Sequence, residues 1–188
     1  QKKARKAAPK KGCPFEDLKK AGNWPPTVVY PNERSWRITI IPNKYPALHH
    51  SAACAETIHE GPYALTGGIG RHELLVTRDH EKHIGMLPRG EAFQMMVMLQ
   101  GHYRTLAEDP CLFYASTFFN WGEGAGASLS HPHYQIVTLP IIPPRIRQSL
   151  EGSKAYFAKH KKCVHCALLR YEEKAKKALL ERIKANKI

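Results

Sequence analysis

The stretch that most limits the fold is residues 88–106. Phe93, Met96, Val97, Leu99 and Tyr103 recur there at three- and four-residue spacing, the period of a helix with one apolar stripe. On either side the apolar residues run or alternate as strands do. The runs 27–30, 36–41 and 72–77 precede it and 111–119 and 135–139 follow, rich in β-branched and aromatic side chains and bounded by Pro, Asn, Asp and Gly. A long helix among short strands must lie across their sheet to bury its stripe. The expected class is therefore α+β, a mainly antiparallel sheet with a long helix packed on it. The first two strands are joined by the turn at residues 31–34. Residues 43–70, with glycines at 61, 67, 68 and 70, read as loop with room for one short strand. Pro140, Pro143 and Pro144 end the sheet, and helices are expected over 145–162 and 168–185.

At 188 residues the chain suits one core with tails. Its net charge of +13 suggests a nucleic-acid binder until it is divided along the chain. Residues 1–20 hold eight Lys/Arg against two acids and residues 154–188 eleven against three, which leaves the middle at −1. A folded nucleic-acid reader carries its basic stripe on the body. Basic tails fit this pattern better, with at most weak, salt-sensitive binding of RNA or acidic surfaces. No segment has the roughly 18 apolar residues needed to span a bilayer, so no membrane partner is expected. The five cysteines are sparse and odd in number, which argues against a disulfide framework and for a reducing, cytoplasmic setting.

Chemistry concentrates in residues 120–135. Between two strand-like runs lies a polar, glycine-rich joint that ends in His131-Pro132-His133-Tyr134-Gln135. On an extended chain His131, His133 and Gln135 share one face. One imidazole can then be held by neighbours while the other keeps a ring nitrogen free to attack. Gly122, Gly124 and Gly126 allow close backbone approach to a ligand, and Ser128 and Ser130 offer hydroxyls to phosphate oxygens. A lone His-x-His beside a loop is usually ordinary surface. The contiguous glycines, serines, histidines and glutamine argue for function.

Residues 120–135, with Gly126-Ala127-Ser128 and His131-Pro132-His133-x-Gln135, resemble the active-site signature of the galactose-1-phosphate uridylyltransferase family in the histidine-triad superfamily. The likeness extends to Asn43-Lys44-Tyr45-Pro46, His72-Glu73, Arg78-Asp79-His80 and Cys13-Pro14-Phe15, so it spans about residues 12–170. It implies a histidine-triad-like catalytic domain over 12–150, preceded by a basic arm (1–11) and followed by a helical extension (151–188). It further implies transfer of UMP or AMP between a nucleoside diphosphate hexose and a hexose 1-phosphate. His133 would carry the nucleotidyl group, and Gln135, where hydrolases of the superfamily have a third histidine, would favour transfer over hydrolysis. Asn43, Asn120, Gly126, Ala127, Ser128 and Gln135 fall where the family binds nucleotide and phosphate. A homodimer is expected by the same analogy.

The resemblance also implies a Zn2+ site at Cys13, Glu16, His80 and His131, with Glu16 in place of the usual second cysteine. A carboxylate can ligate zinc. Cys163 and Cys166 form half of a second zinc site by their spacing. In the family two histidines of a further domain complete it, so here it is expected to be incomplete. The competing readings are a histidine-triad nucleotide hydrolase or phosphorylase, and a non-catalytic nucleotide- or RNA-binding protein with basic tails.

Overall fold

The computed structural model describes residues 9–175, which fall into two compact units divided between Ile141 and Ile142. The first holds a five-stranded antiparallel sheet in the order β1-β2-β5-β7-β6. Its strands are β1 (Val28–Tyr30), β2 (Ile38–Pro42), β5 (His72–Thr77), β6 (Tyr114–Phe118) and β7 (His133–Leu139). The expected α+β class holds.

The central strands are buried on both faces, and alternate residues divide between two cores. Ile38 and Ile40 of β2, Leu75 of β5, and Tyr134 and Ile136 of β7 face α1 (Arg89–Leu106). The helix contributes Met95, Met98 and Leu106 to that core. On the opposite face Ile41, Leu74 and Val76 pack against Phe15 and Leu18. Burying each such side chain is worth roughly 1.5–3 kcal/mol. The N-terminal knuckle at residues 13–18 is therefore a second core layer. Its two buried apolar residues are too few to announce themselves as a periodic pattern.

The helix is where expected, but its buried stripe is turned. Phe93 and Met96 are 69% and 52% exposed, and Val97 is exposed too, whereas Met95, Met98, His102 and Leu106 are buried. The polar His102 hid this face. It reaches the sheet because Nε2 meets Glu73 Oε2 at 2.6 Å, while Thr27 donates to Glu73 Oε1 at 3.0 Å.

Residues 43–70 hold more structure than expected, with a hairpin of β3 (Thr57–Glu60) and β4 (Tyr63–Thr66) turning at Gly61, φ +57°. Gly70 is required for a different reason, because a Cβ there would collide with the Thr138 carbonyl oxygen. The expectation that the cysteines stay out of disulfides is corrected: Cys54 and Cys111 are bonded, with Cα atoms 4.9 Å apart. Folding of the 43–56 loop onto the turn before β6, where His50 also meets Asp109 at 2.9 Å, brings together cysteines 57 residues apart. Sequence spacing alone does not show that proximity.

The second unit contains α2 (Pro144–His160), ended by Lys161 at φ +53°, and α3 (Val164–Ala175). No helix among the described residues is long and apolar enough to cross a membrane.

Candidate active site

Strand β7 enters the sheet at His133, which lies opposite Val76 of β5. Just before it, His131 is fully buried, and its Nε2 donates to the Thr77 carbonyl at 2.8 Å. That bond puts the ring proton on Nε2 and leaves the Nδ1 lone pair facing inward. Around Nδ1 lie Cys13 Sγ at 3.6 Å, Glu16 Oε1 at 3.6 Å and His80 Nδ1 at 3.1 Å, with His80 Nδ1 itself 2.7 Å from Glu16 Oε1. One ligand atom from each residue lies within 4.8 Å of the others. Tetrahedral zinc, with bonds of about 2.0–2.3 Å, sets its ligands about 3.3–3.8 Å apart. The four groups thus fit such an ion after small shifts. Burial pushes the Cys13 thiol up and the His131 imidazole down, so each tends toward its neutral form without a cation.

The carbonyl of His131 accepts a hydrogen bond from His133 Nδ1–H at 2.9 Å. A carbonyl can only accept, so the proton sits on Nδ1 and Nε2 keeps its lone pair. His131 therefore joins the two parts of the site, with its side chain in the cluster and its backbone fixing the tautomer of His133. The imidazole of His133 is 8% exposed, with the Phe15 ring 5.4 Å away between centroids. A cavity of about 640 Å3 has Phe15, Asn43, Leu74 and Leu129 among its walls, and His133 is not one of them.

Two positions along β7, Gln135 accepts from His72 at 3.0 Å. Asn43, just beyond β2, closes on the same His72 ring. The structure thus gathers His133, Gln135 and Asn43 on the sheet face away from α1. Asn120 stands exposed after β6. Residues 126–128 lie in the joint 121–132, where Gly122 and Gly126 take φ +87° and +72°, open only to glycine without strain. The Ala127 N–H folds back to Gly122 O at 3.2 Å.

A family profile described as Ap4A phosphorylase N-terminal domain matches residues 68–152. The chain is 28% identical over 137 residues to ADP-glucose phosphorylase of Arabidopsis thaliana, covering 72% of this chain and 39% of that protein. It is 29% identical over 136 residues to galactose-1-phosphate uridylyltransferase of Thermotoga maritima, covering 72% and 43%. The crystal structure of the Arabidopsis ADP-glucose phosphorylase with bound ADP-glucose superposes with a TM-score of 0.66 at 25% identity, covering 82% of this chain and 48% of that one. These similarities support kinship with galactose-1-phosphate uridylyltransferase-like enzymes. The chain spans about two fifths of the length of these curated relatives.

The Cys163/Cys166 pair lies in the helical unit. Cys163 and Cys166 are exposed free thiols at the start of α3. The backbone N–H groups of Cys166 and His165 pull the Cys163 thiol down. Among the described residues the only group of three or more metal-ligating side chains is the one around His131. Sequence reasoning assigned no role to His72 or Phe15. For His72 the signal is the strand register, which puts it diagonal to Gln135 on one face, and it is readable only once the pairing of β5 with β7 is known.

Proposed function

We propose that the first unit transfers a nucleotidyl group through His133. The observation that carries the reading is the His133 Nδ1–H bond to the His131 carbonyl, which leaves Nε2 as a nucleophile. Nε2 attacks the α-phosphorus of a nucleoside diphosphate hexose, forming an N–P bond as the α-phosphorus–oxygen bond breaks and hexose 1-phosphate leaves. The phosphate of an acceptor hexose 1-phosphate then takes the nucleotidyl group and restores the imidazole. Asn43, Asn120, residues 126–128 and Gln135 hold the nucleotide and its phosphates. Cys13, Glu16, His80 and His131 would hold Zn2+, whose contribution is to lock the His131 segment that orients His133.

The similarity to ADP-glucose phosphorylase favours a second reading in which orthophosphate is the acceptor. Incubation with α-labelled UDP-glucose or ADP-glucose followed by denaturation tests both. Acid-labile label on the chain, absent in His133→Asn, is the expected result, and an unlabelled wild type would refute the proposal. Discharge by added hexose 1-phosphate identifies the transferase, and discharge by orthophosphate the phosphorylase. Self-association into a homodimer goes with this reading and is checked by sedimentation. The expected weak RNA binding by basic ends falls in part on residues 1–8 and 176–188, outside the described residues.

A further inference from the structure

We propose that His72 is a positioning residue that sets which end of the Gln135 amide faces the substrate. The assignment rests on the nucleotidyl-histidine reading above and gives that site a part that neither the signature nor the similarities supply.

The hydrogen bonds around the ring fix its proton. A backbone N–H can only donate, so the Ala47 N–H, 3.0 Å from His72 Nδ1, makes that nitrogen an acceptor. In a neutral imidazole the proton then lies on Nε2, which donates to Gln135 Oε1 at 3.0 Å. The Asn43 amide is oriented by its own Oδ1, which accepts from the Tyr45 N–H at 3.1 Å. Its nitrogen lies 3.4 and 3.2 Å from Nδ1 and Nε2. A donor so nearly equidistant from both sits over the ring face, so it leaves the two in-plane bonds intact. His72 is thus held from two directions by the 43–47 segment while it holds Gln135.

The consequence for Gln135 follows from amide geometry. With Oε1 tied to His72, the two N–H donors lie on the other side of the amide, away from His72. In that orientation Gln135 can donate to phosphoryl oxygens, as stabilising the charge of a phosphoryl transfer requires. Flipped by 180°, it would turn a carbonyl oxygen toward an anion. The steric difference between the two orientations is small, so a fixed donor on Oε1 has to decide between them. The strand register supplies that donor, because Gln135 lies opposite Leu74 and His72 is two residues earlier on the same face.

The test compares His72→Phe, which keeps a ring without a donor, with His72→Gln, which restores an N–H. In single turnover on UDP-glucose or ADP-glucose, His72→Phe is expected to slow nucleotidylation of His133 by about tenfold, the size of one neutral hydrogen bond. KM should change little, and His72→Gln should recover most of the rate. In a Gln135→Ala background the His72→Phe change should have almost no further effect, because its only route is the amide. A second full loss in that background, or a wild-type rate for His72→Phe alone, overturns the proposal. The side-chain amide resonances of Gln135 in the ligand-free protein give a readout independent of turnover. They should shift in His72→Phe and return in His72→Gln, and unchanged resonances also overturn it. If the wild type takes no label at all, the nucleotidyl-transfer reading fails, while these resonances still report whether His72 holds Gln135.

Discussion

The Phe15 ring, 2% exposed, lines the cavity and lies 5.4 Å from the His133 ring between centroids. Phe15 packs on the sheet as a core residue and covers the proposed nucleophile, so its removal has two effects. Phe15→Leu should cost about 1–2 kcal/mol of stability, as a modest large-to-small core change does. It should also raise the rate at which an imidazole-directed reagent modifies His133 several-fold, read by peptide mass spectrometry. An unchanged modification rate would show that Phe15 does not control access. The residues around it divide by legibility. His131, His133 and Gln135 are visible in sequence because strand alternation puts them on one face. Phe15 and His72 are invisible because their roles depend on partners 118 and 63 positions away in the chain.

At the scale of elements, α1 is held to β5 by a buried polar pair as well as by its apolar stripe. Burial pushes the Glu73 carboxyl up, but the hydrogen bond and charge of His102, with Thr27 and Arg71, outweigh it and hold the group below the ordinary glutamate range. A carboxylate whose folded pKa is depressed stabilises the fold fully above its unfolded value. That contribution is lost as the pH falls through the folded value. Urea midpoints should therefore drop on the acid side of about pH 4.5, and Glu73→Gln should flatten that slope while lowering stability at neutral pH by about 3–5 kcal/mol. The segment leading into β5 makes a second, separate demand. Gly70→Ala sets a methyl against the Thr138 carbonyl, so β5 and β7 must part or the 67–70 turn must move. A loss of about 1–3 kcal/mol in thermal or urea unfolding is expected, and a wild-type midpoint would count against this packing.

Across the whole first unit, the proposed metal cluster joins three regions distant in sequence. The N-terminal knuckle brings Cys13 and Glu16, the end of β5 leads to His80, and the segment before β7 brings His131. An ion bound only by the folded arrangement stabilises it by mass action, about 2.7 kcal/mol at a hundredfold excess over Kd. Chelation should therefore lower the melting temperature by several degrees, and readded Zn2+ should restore it. Glu16→Ala should weaken that response, while Glu16→Cys, a soft ligand at the same position, should retain it. Because His131 also orients His133, loss of the ion should reduce nucleotidylation along with stability. Retention of full activity and melting temperature after chelation would dissociate the cluster from both.

The sequence by itself determined the α+β class, the strands of the main sheet, the place of the long helix and the histidine- and glycine-rich segment 120–135. All of these are written in local periodicity, in β-branched runs or in a contiguous motif. Tertiary structure alone decided which face of α1 is buried, because that depends on Glu73 meeting His102 across 29 residues. It alone decided that Cys54 and Cys111 bond, that Phe15 lies over His133, and that His72 meets Gln135. Periodicity reports how a segment relates to one surface. It carries no information on which distant segment supplies that surface, and the polar contacts that orient this site are made between such segments.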